Sequence, residues 1–277
     1  MNPSTLLYDQ ASEAADYLSS YGSPLIGVIQ GTGLSRFSGQ LVNKFAIPYS
    51  DIPHLSQSSV PTHESVCTIG NIGSATVIAF SGRLHYYEGH TMSAVTFPVR
   101  VMQLLGVKYL LMSNAAGGLN PLYAEGDLVI VRDHINTFPE NPLRGLSDPR
   151  LGVTFPDLSE AYAPSVRAVL RQSCKEYGLS PLQGIYLGLQ GPSLETPAEY
   201  RYYKNMGADL IGMSTVPEVI VANQANIETG VVSVVTNTYD PDRVTQTTID
   251  DVIATAEAAE PNLIKVIVDT IYQLQEL

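Results

Sequence analysis

The sequence predicts an α/β fold built on a mostly parallel sheet, with helices packed on it. Three observations carry this. Short apolar, β-prone runs recur along the whole chain. They are nearly continuous rather than alternating, the pattern of strands covered on both faces. Several are followed by helical patterns, and strand–helix alternation is the signature of a parallel sheet.

In chain order, a first helix is expected from about Ser4 to Ser19, ahead of an apolar run at Ile26–Ile29. Further runs follow at Ala75–Phe80, Tyr109–Met112 and Leu128–Val131. The stretch Asn136–Pro156 is rich in Pro, Gly, Asp and Asn and reads as a long loop. A helix beginning at Ser159 or Pro164 should run to Tyr177 and close at Gly178. After the run Ile185–Leu189, Thr196-Pro197-Ala198-Glu199 places a hydroxyl N-cap, Pro at the first helical position and Glu at the third. That helix should reach Met206 and stop at Gly207. The run Asp209–Met213 precedes Thr215-Val216-Pro217-Glu218, a second Thr-x-x-Glu start whose helix should end near Gly230. The run Val231–Thr236 and a helix from about Ile249 to Leu274 complete the chain.

At 277 residues, one large domain or two small ones would fit. No repeat, low-complexity tract or linker-like shift divides the chain. Apolar residues make up 44% and charged residues 15%, so a large core can form. The net charge of −12 argues against a general surface for nucleic acid or anionic membrane. It leaves room for a local anion site. Cys67 and Cys174 form no CxxC and read as packed thiols in a reducing, cytoplasmic compartment. The first 20 residues lack a basic n-region and a long apolar core, so no signal peptide is expected. No stretch approaches the ~18 apolar residues of a membrane span.

In open α/β sheets, ligands bind beyond the carboxyl ends of strands. Six of the runs end in polar or glycine-rich sequence. After Ile26–Ile29 stands Gln30-Gly31-Thr32-Gly33-Leu34, a tight turn with free N–H groups but neither a P-loop nor a full GxGxxG. After Ala75–Phe80 stands Gly82-Arg83-Leu84-His85-Tyr86-Tyr87-Glu88-Gly89-His90, the densest polar run of the chain. Arg83 offers a planar fork of donors suited to phosphate, with His85 as a second donor. A metal site is the rival, but the spacing is not HExxH. After Tyr109–Met112, the small residues Ser113 to Gly118 would let backbone approach a ligand, or simply turn beneath a helix.

Glu195 precedes a helix N-cap. It is either a solvated acid or an acceptor for a polar heterocycle. Ser214 precedes a helix start, where an anion is welcome. Asn237 follows the last run and offers one donor and one acceptor to a base edge. His63 lies in a loop, and a lone loop His is more often solvated than functional. The cluster Tyr200–Tyr203, inside a helix, reads as packing rather than as base stacking.

Four long segments in order, GRLHYYEGH at 82–90, SNAAGGLNP at 113–121, GPSLETPAE at 191–199 and GMSTVPEVIVA at 212–222, give the chain its resemblance. It resembles the trimeric type of purine nucleoside phosphorylase over nearly its whole length. The resemblance implies one α/β domain over 1–277, with a mixed, partly barrel-like sheet, in a homotrimer. It implies reversible phosphorolysis of purine nucleosides, inosine and guanosine first, with inorganic phosphate as co-substrate and no metal or organic cofactor. Carried over by motif, Thr32, Arg83, His85, Ser214 and the N–H of Ala115 would hold phosphate, with His63 gating it. Tyr87 and Met213 would contact the ribose. Glu195 and Asn237 would read the purine beside Leu194. Phe155 would reach the sugar in a neighbouring subunit's site. Asn237, Glu195 and His85 would be the catalytic groups.

Three departures stand out. Leu194 replaces a frequent aromatic before the purine-reading Glu. Gln190 and Leu189 depart from the usual small-residue approach to the base. No His stands in Val244–Asp251 to reach the ribose 5′-hydroxyl. The rival substrates are therefore 5′-methylthioadenosine, adenosine and xanthosine. A silent nucleoside-binding protein and a nucleoside hydrolase are rivals of other classes. Substituting Arg83 by Ala should remove phosphate affinity and activity while the chain stays folded.

Overall fold

The computed structural model describes residues 3–59, 64–239 and 246–277. Nine strands among them form one mixed sheet: β1 (Ile26–Gln30), β2 (Val42–Pro48), β3 (Val66–Ile72), β4 (Ala75–Ser81), β5 (Tyr109–Gly118), β6 (Leu128–Asn136), β7 (Leu182–Gly188), β8 (Leu210–Gly212) and β9 (Glu228–Thr238). The order is β2-β3-β4-β1-β5-β8-β7-β6-β9, and β5 also pairs with β9. That extra pairing closes β5, β8, β7, β6 and β9 into a ring. The α/β fold with a partly barrel-like sheet is therefore as expected. Parallel pairs join β1 to β4 and β5, β5 to β9, and β7 to β6 and β8. Antiparallel pairs join β3 to β2 and β4, β5 to β8, and β6 to β9.

Helices cover both faces. On one side lie α1 (Pro3–Ser19), α2 (Met92–Leu104) and α5 (Val216–Gln224), in successive contact. On the other, α3 (Pro164–Glu176) packs against α6 (Ile249–Leu274). Strand alternation feeds the two cores. Leu110 and Met112 of β5 enter the first, while Leu111 enters the second. Both faces are thus apolar, which explains the unbroken runs. The remaining helix, α4 (Pro197–Asn205), caps one rim with the Thr196/Glu199 box read from the sequence. Among the described residues no helix is long and apolar enough to cross a membrane. Both cysteines are buried and unpaired, and burial pushes the Cys174 thiol up to about 11.

Several boundaries differ from the sequence reading. Strand β5 does not stop at Met112: Ser113–Gly118 continues it, paired with β9 throughout and with β8 at Gly117 and Gly118. Helix α5 ends at Gln224 rather than near Gly230, because Asn226 turns at φ +56° and β9 begins at Glu228. The sequence reading omitted β2, β3 and α2. Strand β2 is mostly solvent-exposed and carries little apolar signal. Helix α2 contains Pro98 and is buried nearly all round, so it shows no amphipathic period.

Candidate active site

The carboxyl ends of β1, β4, β5, β8 and β9 converge on one cleft of about 170 Å³, open to solvent. Its lining includes Thr32, Arg83, His85, Tyr87, Ala115, Leu194, Glu195, Met213, Ser214 and Asn237. Ten of the twelve residues singled out from the sequence thus meet in one place. His63 lies outside the described residues. Phe155 is 91% exposed and does not line this cleft.

One hydrogen-bonded group in the lining gathers donors. Gly31 brings β1 against β5 so closely that a Cβ there would lie 2.2 Å from the Ser113 carbonyl oxygen, and its N–H donates to Ser113 Oγ at 3.1 Å. Arg83 is buried, and its Nη1 donates to that same Ser113 carbonyl at 2.7 Å. Its Nε donates to Glu218 Oε1 at 2.7 Å, and both side chains are almost fully buried. Nη1 also reaches Ser214 Oγ at 3.4 Å.

Ser214 is presented by a strained turn. Thr215 has φ +70° and ψ −52°, and Val216 N–H donates to the Ser214 carbonyl at 2.7 Å. This is a γ-turn of the rare hand, unfavourable for a β-branched residue. Asn114 holds it by donating from Nδ2 to Thr215 Oγ1 at 2.9 Å. Such strain persists only where the surroundings over-determine it. Here it sits beside a hydroxyl already singled out.

His85 is oriented by Glu88. The carboxylate accepts from His85 N–H at 2.8 Å and from its Nδ1 at 3.0 Å. A carboxylate only accepts, so Nδ1 carries the proton. Glu88 also accepts from Ser59 N–H and Oγ at 2.7 Å each. Burial alone would raise the Glu88 carboxyl. The bonds from His85 and Ser59 outweigh it and hold the group well below the ordinary carboxylate range. A depressed native pKa adds stability that is complete above the unfolded value, about 4.3, and is lost as pH falls toward the native one. Melting temperatures measured from pH 7 to pH 3 should therefore fall more steeply for the natural chain than for Glu88→Gln. Parallel curves would remove this role.

A second group in the lining is suited to a heterocycle. Asn237 Oδ1 accepts from Thr236 Oγ1 at 3.3 Å, which turns the amide N–H₂ away from that contact. Burial raises the Glu195 carboxyl, with an opposing hydrogen bond from Tyr200. Tyr200 also accepts from Asn237 and stacks on Tyr239 at 4.5 Å between ring centroids. Sequence reasoning had assigned Tyr200 to packing. It lines the cleft, because the first turn of α4 starts just after Glu195. Tyr87 stacks on His85 at 4.6 Å, and Met213 is in the same lining. Ile249 and Val252, in the first turn of α6, line the cleft where the sequence offered no His. An isolated Ile at a helix start carries no sequence signal for such a place.

Comparison with known proteins agrees with this geometry. Residues 25–272 match the family model described as the phosphorylase superfamily. Purine nucleoside phosphorylase 1 of Geobacillus stearothermophilus is 44% identical over 88% of this chain and 89% of its own. The Bos taurus purine nucleoside phosphorylase is 41% identical over 83% and 82%. The structure of Schistosoma mansoni purine nucleoside phosphorylase in complex with inosine superposes with a TM-score of 0.90 at 35% identity, covering 98% and 97% of the two chains. With its family model spanning nearly the whole chain and these relatives beside it, the protein belongs to the phosphorylase superfamily, among its purine nucleoside phosphorylases.

Proposed function

We propose that this cleft carries out reversible phosphorolysis of 6-oxopurine ribo- and deoxyribonucleosides, with inosine and guanosine as the leading substrates. The observation that carries this is the lining of one cleft. It brings buried Arg83, His85 and the hydroxyls of Thr32 and Ser214 together with Glu195 and Asn237, which share Tyr200 as a hydrogen-bond partner. The relatives' structures with inosine, guanosine, hypoxanthine and adenosine support a purine base, and the 6-oxo preference rests on Glu195 and Asn237.

The chemistry follows from the placement. A phosphate oxygen bonds to the anomeric carbon as the bond to the purine nitrogen breaks. The base leaves with the bonding pair and is protonated on release. The sugar passes through a cationic, oxocarbenium-like state, which the anion stabilises if held in line. Arg83, His85, Thr32, Ser214 and the Ala115 N–H hold it there. Negative charge grows on the purine as the bond breaks. Asn237 donates to N7 and Glu195 accepts from N1–H, so both contacts strengthen toward the transition state. Tyr87 and Met213 flank the ribose, and Leu194 covers the base edge. Inorganic phosphate is the co-substrate, and no step needs a metal or organic cofactor.

This reading extends to a cytoplasmic homotrimer with residues 1–277 as one unit, His63 at the phosphate entrance, and exposed Phe155 closing a neighbour's sugar site. Base release from inosine, guanosine, xanthosine, adenosine and 5′-methylthioadenosine, with and without phosphate, tests it. Phosphate-dependent release chiefly from inosine or guanosine is expected. Release chiefly from the 6-amino nucleosides would overturn the roles of Glu195 and Asn237.

A further inference from the structure

We propose that Glu218, which does not line the cleft, is a positioning residue for phosphate: its carboxylate takes the Nε–H of Arg83 and so fixes which guanidinium nitrogens serve the anion. The inference rests on the phosphate role of Arg83 given above. A guanidinium has five N–H groups. One goes from Nε to Glu218 Oε1 at 2.7 Å, and Nη1 gives to the Ser113 carbonyl at 2.7 Å. Nη2 is buried and has no partner among the described residues.

The ion pair is single-toothed. Glu218 Oε2 is likewise buried without a partner, although a carboxylate beside a guanidinium can take two parallel bonds. The pair clamps Nε at Glu218, while Nη1 stays beside Ser214 Oγ, a hydroxyl of the cleft lining. The same short segment carries Ser214, the γ-turn at Thr215 and Glu218 in the first turn of α5. One backbone unit thus supplies a phosphate hydroxyl directly and the arginine's orientation indirectly. Any shift of this segment moves both together.

Length and charge can be separated by two variants. Glu218→Asp keeps the charge and withdraws the acceptor by one methylene. Glu218→Gln keeps the reach and removes the charge. For positioning, Glu218→Asp should raise the KM for phosphate about tenfold or more, the scale of a lost charge-assisted hydrogen bond. Glu218→Gln should stay within about threefold, since its carbonyl oxygen still accepts from Nε. The KM for inosine should change little in either. A phosphate KM unchanged in Glu218→Asp, a loss in Glu218→Gln as large as in Glu218→Asp, or an equal rise in both substrates' KM would each overturn the proposal. The Arg83→Met/Glu218→Met double variant is the control: if it binds phosphate normally, the phosphate role of Arg83 fails, and the positioning role with it.

Discussion

Replacing Arg83 by Met is expected to destabilise the chain by about 3–5 kcal/mol, the penalty for stranding one partner of a buried ion pair. The stranded group is Glu218, whose side chain is 1% exposed. Phosphate affinity should fall as well, by about 1.5–3 kcal/mol for one charged contact, or roughly tenfold to over a hundredfold. Removing both charges separates the two effects. Arg83→Met/Glu218→Met should regain most of the lost stability, because two apolar side chains of similar volume replace the pair. Phosphate binding should stay lost. Denaturant midpoints and phosphate KM for the natural chain and both variants check this. A single variant as stable as the natural chain would show that the pair is not buried as described. An alanine at 83 should likewise leave the chain folded but less stable, an effect without a sign in the sequence, where Glu218 stands 135 positions away.

Asn237→Ala should lower kcat/KM for inosine about 100- to 1000-fold, the range for removing one donor from a developing negative charge. The KM for phosphate should be unchanged, since Asn237 is none of the partners of Arg83. Asn237→Asp keeps the shape but offers only acceptors. It should shift the preference from inosine toward adenosine, whose 6-amino group donates. Glu195 adds a pH signature. Burial raises its carboxyl, and the role needs the ionised form. The acid limb of kcat/KM should therefore lie above the ordinary glutamate value of about 4.3. Glu195→Gln should remove that limb and slow the reaction. An acid limb that persists in Glu195→Gln would transfer it to another group.

Much of the site was legible because strand ends mark it. Arg83, His85, Ser214 and Asn237 each follow an apolar run directly, and local sequence places them. The closed part of the sheet was not legible from the runs themselves. It depends on β5 pairing with both β8 and β9, a long-range choice that no local pattern encodes. Ser113–Gly118 looked like a turn because its residues are small. Pairing with β9 along its length, and with β8 at Gly117 and Gly118, holds it extended. Residues whose partners lie far along the chain were the hardest to see. Glu218 looked like a helix N-terminal acid, Tyr200 like helix packing and Asn114 like part of a small-residue segment. Their roles come from partners far along the chain.

The most direct measurement is the product balance of inosine breakdown in the presence of phosphate, followed by phosphorus NMR together with base release. One equivalent of ribose 1-phosphate per hypoxanthine, with no release when phosphate is omitted, is the expected result. Free ribose appearing at the same rate with or without phosphate would contradict phosphorolysis and make the cleft a hydrolase site.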